Sequence, residues 1–157
     1  MLADQALLTR CFELATASRA GGDHPFGALL AIGGEIVAEA NNRVNTSDDI
    51  TAHAELTLVR VLQQQGNLHL LAEGTVYASC EPCPMCVGAM FWAGARRVVY
   101  GLSAARLSEL TTVTGREPIR FVITAPEIGR AALPPVSFEG PQREDEAAVP
   151  HLGYWVP

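Results

Sequence analysis

The chain contains no lysine, and its basic residues are few and dispersed. All 11 basic residues among the 157 are arginines, against 17 Asp and Glu, so the formal net charge is −6 at pH 7. Only Arg96 and Arg97 are adjacent. A protein that binds a nucleic-acid backbone usually carries clustered basic residues, because its affinity comes from neutralising phosphates. The charge pattern therefore argues against a nucleic-acid partner.

Long apolar runs are also missing. No stretch approaches the roughly 20 apolar residues of a membrane span. The start of the chain, MLADQALLTR, has acidic and polar residues where a signal peptide has a basic and then an apolar segment. We expect a cytoplasmic protein with no membrane partner, in which thiols stay reduced. The four cysteines are then not expected to form a disulfide framework.

The composition is that of an ordinary globular protein. With 48% hydrophobic and 18% charged residues, residues 1–157 are expected to form a single domain. Asp4 is the predicted N-cap of a first amphipathic helix. Further on, Gly33-Gly34 joins two apolar runs, and this predicts a hairpin with strands at about 27–32 and 35–40.

The middle of the chain alternates between helical and strand patterns. Thr51 or Asp49 is expected to cap a helix from about Ala52 to Gln65. Strands are predicted at 74–80, 96–101 and 120–124, with helical segments at 84–94, near Leu107 and at 127–132. This alternation is typical of βαβ crossovers. It predicts a three-layer α/β/α sandwich with a mixed five-stranded sheet, followed from about residue 133 by a polar, acidic C-terminal segment.

Three of the cysteines lie in the stretch SCEPCPMC, residues 79–86. Cys83 and Cys86 are predicted one turn apart on one helix face, at an N-terminus whose dipole favours thiolate, and so form half of a soft-metal site. His53, in TAHAEL, supplies a third ligand. A zinc ion with three protein ligands keeps a fourth position for water, and Glu55 is then free to accept the proton of that water. H-x-E followed by P-C-x-x-C is the pattern of zinc deaminases.

Other kinds of cysteine site fit the sequence less well. A thioredoxin-like redox pair leaves His53 and Glu55 without a role. An iron–sulfur pattern starting at Cys80 requires a further cysteine near Met90. A closed structural zinc site with Cys80 as fourth ligand stays open, and it would make the protein a zinc-stabilised binding module. Against it, Glu81-Pro82 stiffens the connection between the cysteines, and Glu55 again has no role.

The chain resembles the cytidine and deoxycytidylate deaminase superfamily, most of all its branch of bacterial guanine deaminases and tRNA adenosine deaminases. The resemblance covers roughly residues 5 to 102 and rests on HPFGALL, ANNRVN, TAHAE, YASCEPCPMCVGAM and RRVVYG. It implies a five-stranded sheet flanked by helices, a bound Zn²⁺, and a homodimer or larger homo-oligomer. It also implies a reaction in which hydroxide on zinc attacks an amino-bearing ring carbon of a nucleobase or nucleoside and ammonia leaves.

The same resemblance assigns roles to single residues. His53, Cys83 and Cys86 are implied to hold zinc, and Glu55 to carry the proton from water to a ring nitrogen and then to the departing amine. It also implies that Asn42 hydrogen-bonds the base or sugar and that Phe26 is a wall of the base pocket. Apart from these implied roles, Ala54, Trp92, Tyr154 and Trp155 are further expected substrate contacts. Phe26 is equally compatible with core packing, and Asn42 with a turn.

The identity of the base rests on weaker signals. Phe91-Trp92 after the second cysteine motif resembles the guanine deaminases, and the acidic C-terminal end differs from the basic end of the tRNA enzymes. We therefore expect guanine or a related purine, with cytosine or cytidine and adenine or adenosine, including tRNA adenosine, as alternatives. The chain departs from the guanine deaminases after about Leu107. We hypothesise that its end, HLGYWVP, folds as a lid over its own pocket or a partner subunit's, although docking for stability alone is an equal alternative.

Overall fold

The computed structural model describes residues 2–112 and 119–155. Its strands are β1 (Gly27–Ile32), β2 (Glu35–Asn41), β3 (Thr75–Cys80), β4 (Arg97–Leu102) and β5 (Ser137–Glu139). Its α-helices are α1 (Leu2–Ala20), α2 (Val44–Ser47), α3 (Ala54–Gln64), α4 (Pro84–Trp92), α5 (Ala104–Thr111), α6 (Ala125–Ala131) and α7 (Glu144–Ala148). Two 3₁₀ helices span Leu68–Ala72 and Val149–His151. None of the described helices is long and apolar enough to cross a bilayer.

The strands form one mixed sheet in the order β2-β1-β3-β4-β5. β1 is antiparallel to both β2 and β3, whereas β3, β4 and β5 are parallel. The hairpin between β1 and β2 turns at Gly33 and Gly34. Their φ angles are positive, 60° and 91°, and residues with a Cβ disfavour this region. The predicted mixed five-stranded sheet and its α/β class are therefore confirmed.

Helices cover both faces of the sheet. In β1, Ala28 and Leu30 pack on one face against α3 and α4, whereas Leu29 and Ala31 pack on the other face against α1 and α7. Successive side chains of a strand point to opposite faces, so an uninterrupted apolar strand is the expected pattern for a sheet that is buried on both sides. The arrangement is the predicted three-layer sandwich, with α3 and α4 together in one layer.

The predicted fifth strand was wrong. Residues 120–124 form irregular backbone, and Phe121 is 68% exposed. The edge of β4 is instead occupied by β5, with Arg97 opposite Ser137. Arg97 donates two hydrogen bonds to the Glu139 carboxylate, at 2.8 and 2.6 Å. A three-residue strand held by such long-range contacts is too short to leave a periodic pattern in the sequence.

The prediction of Asp4 as an N-cap was also wrong. α1 already begins at Leu2, so Asp4 lies in its first turn. The Asp4 carboxylate accepts a hydrogen bond from the Tyr77 hydroxyl and lies 3.6 Å from the Arg97 guanidinium. The Tyr77 hydrogen bond and then Arg97 hold the pKa of Asp4 below its usual range. Asp4 therefore fixes α1 to β3 and β4 instead of capping its own helix.

Candidate active site

The N-termini of α3 and α4 carry two of the predicted metal ligands. His53 is the N-cap of α3 and Cys83 is the N-cap of α4, both in extended backbone conformation and neither with a side-chain capping bond. The predicted caps of α3, Thr51 and Asp49, were wrong, since Asp49 accepts hydrogen bonds from the Thr51 amide and hydroxyl. The cap side chains of His53 and Cys83 are therefore not engaged with their own helices.

The three predicted ligand side chains meet at one point. His53 Nδ1 lies 3.6 Å from Sγ of Cys83 and 3.6 Å from Sγ of Cys86. One ligand atom from each of the three lies within 4.8 Å of the others. Tetrahedral zinc with Zn–S of about 2.3 Å and Zn–N of about 2.1 Å separates nitrogen from sulfur by about 3.6 Å. The donor atoms and their spacing thus fit zinc.

Without a metal, the three ligands share protons with one another. Hydrogen bonds from Cys86 and then His53 lower the pKa of Cys83 to about 4. The same hydrogen bond, together with burial, raises the pKa of Cys86, and the Cys83 thiolate raises the pKa of His53. These shifts favour a thiolate at Cys83 and protons on Cys86 and His53. Binding of zinc displaces those protons, because thiolates and neutral imidazole are the ligand forms.

Cys80, the fourth ligand of the alternative closed site, lies in the core. Its side chain is 3% exposed and packs with the apolar layer that includes Leu8 and Leu102. Burial raises the pKa of its thiol well above the usual value. In the described part of the chain, the group of mutually close ligand atoms consists of His53, Cys83 and Cys86 without Cys80. This arrangement favours a three-ligand site over the closed one.

Glu55 lies in the first turn of α3, beside the ligands. It is 7% exposed, and burial raises its pKa to about 6. The residue lines a cavity of about 110 Å³ together with Phe26, His53, Cys80, Glu81, Cys83 and Leu107. A carboxyl whose pKa lies near neutrality can both accept and return a proton, which is what general acid–base chemistry needs.

Two of the predicted substrate contacts lie on the loops beside this cavity. Phe26 lines it, and the Asn42 amide donates a hydrogen bond to the Phe26 carbonyl at 3.0 Å. Asn42 is 1% exposed, and its Oδ1 accepts from the Val44 amide at 3.0 Å. Ala54, the first residue of α3, is fully buried.

Trp92 lies far from the other predicted contacts. It is the last residue of α4, at the end of the helix opposite Cys83, and it is 85% exposed. Nine residues at 1.5 Å of rise separate these ends by about 13 Å. Within the described chain Trp92 does not line the cavity around Glu55, and its contact with substrate stays a prediction.

The C-terminal segment, residues 149–155, packs against its own chain. The Tyr154 hydroxyl lies 3.0 Å from Nδ1 of His24, and the Trp155 ring stacks on His24 with centroids 5.2 Å apart. Trp155 also lies 6.2 Å from Phe26, centroid to centroid. Arg19 donates hydrogen bonds of 2.9 and 2.8 Å to two carbonyls of the segment. Tyr154 and Trp155 thus pack against the loop that carries His24 and Phe26. Residues 156 and 157 of HLGYWVP lie outside the described residues.

Two residues that line the cavity had no predicted role in the site. Leu107, on α5, reaches it from a helix that was predicted from pattern alone. Glu81 lies between Cys80 and Cys83, and its carboxylate accepts hydrogen bonds from residues 23 and 44 positions away. Its position within the cysteine motif could have indicated a role in the site. No local sequence pattern, however, indicates partners so far away in the chain.

Comparison with known proteins agrees with the geometry. Residues 1–102 match the family described as Cytidine and deoxycytidylate deaminase zinc-binding region. A "Probable cytosine deaminase" of Schizosaccharomyces pombe is 37% identical over 153 residues, 97% of this chain and 92% of that protein. The guanine deaminase of Bacillus subtilis is 43% identical over 97 residues, 61% of this chain and 62% of that protein. A guanine deaminase structure from Nitrosomonas europaea has a TM-score of 0.75 at 23% identity, covering 93% of this chain and 81% of that chain, and so shares the fold.

The family match and the nearly full-length relative make the classification plain. The metal ligands and the buried glutamate lie inside the matched region. The chain therefore belongs to the cytidine and deoxycytidylate deaminase family and is a zinc-binding hydrolase of the carbon–nitrogen bond that joins an amino group to a nucleobase or nucleoside.

Proposed function

We propose that the protein hydrolytically deaminates a small free nucleobase, cytosine first, and releases ammonia. One observation carries the proposal. Two of the metal ligands and the buried carboxyl of Glu55 line the same cavity, whose volume is about 110 Å³. Pockets for drug-sized ligands measure about 300–1,000 Å³. The cavity itself has room for one heterocyclic ring, and a sugar would have to occupy the adjoining cleft of about 230 Å³.

The chain's own residues have separate tasks in this reaction. Bound to His53, Cys83 and Cys86, zinc would supply a water of lowered pKa. Glu55 carries one proton of the attacking water to a ring nitrogen and the second to the leaving amine, which its raised pKa permits. The N-termini of α3 and α4 place positive dipole ends at the site, where they stabilise developing negative charge.

The walls of the cavity orient the base. Phe26 and Leu107 present apolar surface, which excludes bulk water from the reacting atoms. Asn42, whose backbone amide donates to the Phe26 carbonyl, uses its side-chain Nδ2 to donate a hydrogen bond to a ring carbonyl of the base. A base that lacks this acceptor is expected to bind less tightly, because it leaves a donor of the protein unpaired.

The choice of cytosine is supported by the extent of similarity. The Schizosaccharomyces pombe relative aligns with 97% of this chain, whereas the Bacillus subtilis guanine deaminase aligns with 61%. Guanine, which the aromatic pair Phe91-Trp92 had suggested, is the second candidate. Its support is the higher identity of 43% within the shared zinc region.

We further propose that the C-terminal segment closes the cavity by packing against Phe26, which forms one of its walls. The Trp155 ring packs against both His24 and Phe26, so its removal would free the loop that forms one wall. Deleting residues 151–157 is expected to raise KM and leave one zinc per chain. Unchanged kinetics would show that the segment serves stability alone. A homodimer and a cytoplasmic location stay predictions, the first of which sedimentation of the zinc-loaded protein would test.

Ammonia release from a panel of bases tests the function. Zinc-loaded protein should act on cytosine faster than on guanine, adenine, cytidine or tRNA, and Glu55→Gln should abolish the signal while retaining zinc. A higher rate on guanine would favour the second candidate. Release from tRNA alone would contradict the free-base proposal, and no release from any substrate would contradict the function itself.

A further inference from the structure

Glu81 joins the metal-binding loop to two helices that lie elsewhere in the chain. Its Oε2 accepts a hydrogen bond of 3.0 Å from the Ala104 amide, the first residue of α5. Its Oε1 accepts one of 2.9 Å from the Ala125 amide, the first residue of α6. The Glu81 amide in turn donates to the Leu102 carbonyl at 2.7 Å. One carboxylate thus satisfies an N-terminal amide of each helix.

Neither helix depends on Glu81 for its own cap. In α5, Ser103 Oγ accepts from the Arg106 amide at 3.2 Å. In α6, Thr124 and Glu127 form a reciprocal capping box. These local caps satisfy an amide three residues into each helix and leave the first amide for Glu81. The carboxylate therefore fixes the positions of α5 and α6 relative to the loop. Its negative charge is favourable at the positive end of each helix dipole.

The position of α5 matters for the site because of Leu107. This side chain lies one turn into α5 and lines the 110 Å³ cavity. It also lines an adjoining cleft of about 230 Å³, as do Glu81 and Cys83. Glu81 precedes Cys83 by two residues, so one short loop carries a residue that would hold the metal and, through Glu81, fixes the helix that carries Leu107.

We propose that Glu81 is a positioning residue that sets the distance between Leu107 and the metal, and thereby the affinity of the cavity for the base. The proposal rests on the proposed function. Each carboxylate oxygen of Glu81 accepts a hydrogen bond from a helix amide, from Ala104 and from Ala125, and proton transfer is the task of Glu55. Loss of Glu81 should therefore change binding of the base and leave the chemical step intact.

The first experiment compares Glu81→Gln and Glu81→Asp with the control Glu127→Gln. The glutamine keeps the length but has one accepting oxygen, whereas the aspartate keeps the charge but is too short to reach both amides. Each is expected to raise KM about tenfold, the equivalent of one lost charge-assisted hydrogen bond. The kcat should stay within about twofold and zinc at one per chain. The control, an exposed helix-capping glutamate, should match the wild type. An unchanged KM, a loss of kcat alone, or failure of both variants to fold would overturn the proposal.

The second experiment asks whether Glu81 acts through Leu107. Leu107→Ala should also raise KM, and the double variant Glu81→Gln/Leu107→Ala should not exceed the larger single effect. Effects that multiply would show independent roles and overturn the proposal. Amide hydrogen exchange gives a readout without turnover: Ala104 and Ala125 should exchange faster in Glu81→Gln than in the wild type. An inactive wild type would refute the proposed function, whereas an active Glu81→Gln with unchanged KM and exchange would refute the role of Glu81 alone.

Discussion

Replacing Glu55 by glutamine is expected to abolish turnover and to stabilise the metal-free protein. Burial raises the pKa of this carboxyl from the usual 4.5 to about 6. A rise of that size means that ionising Glu55 costs about 2 kcal/mol more in the folded protein than in the unfolded chain. The amide is isosteric and carries no charge to desolvate. At pH values above 6, the free energy of unfolding of the variant should therefore exceed that of the wild type by about 2 kcal/mol.

The sign of the pH dependence distinguishes this cause from general repacking. Because the folded pKa lies above the unfolded one, the wild type loses stability as the pH rises from 4.5 to about 6. The advantage of the variant should accordingly grow over this range, stay constant above it and vanish below it.

Denaturant unfolding in the presence of a chelator measures the stability, and ammonia release from the zinc-loaded protein measures the rate. The kcat should fall about 10²- to 10⁴-fold, the contribution of a general acid–base. Glu73→Gln, a substitution of an exposed glutamate, serves as the control and should change neither quantity. An active Glu55→Gln variant, or one whose stability gain is absent or independent of pH, would refute the reasoning.

Three further outcomes follow from the packing. Cys80→Ala should keep one zinc per chain while Cys83→Ala loses it, as metal analysis will show, and loss of zinc from the first would restore the closed-site interpretation. Gly101→Ala would place a Cβ 2.5 Å from Cε1 of Phe12, so the free energy of unfolding should fall by about 1–3 kcal/mol, and an unchanged denaturation midpoint would contradict this. Arg19→Ala removes two hydrogen bonds to the C-terminal segment, which should be cleaved faster in limited proteolysis.

The cluster of candidate metal ligands could be predicted because part of its geometry is local. Cys83 and Cys86 lie one helical turn apart, and that spacing alone puts both sulfurs on one face. His53 was found through its position in a motif, and the structure brings its Nδ1 to 3.6 Å from both sulfurs. The strands that carry long apolar runs were predicted within one or two residues for the same reason, since burial on both faces leaves a continuous pattern.

The errors and omissions concern contacts between distant parts of the chain. β5 has three residues and owes its place to pairing with β4 and to the ion pair of Arg97 with Glu139, 42 residues away. Asp4 has the composition of a helix cap, but its partner Tyr77 lies 73 residues away. Glu81 likewise joins helices whose positions only the assembled fold defines. Periodicity and local propensity carry no information on such partners.

The placement of the three ligands has a mechanical consequence. His53 and Cys83 are 30 residues apart in sequence, so a bound metal would cross-link the starts of α3 and α4 within one layer of the sandwich. Closing a loop of this length lowers the chain entropy of the unfolded state by the equivalent of on the order of 3 to 4 kcal/mol. Chelation would then remove this cross-link as well as the metal that the reaction needs. We expect unfolding to begin in the layer formed by α3 and α4.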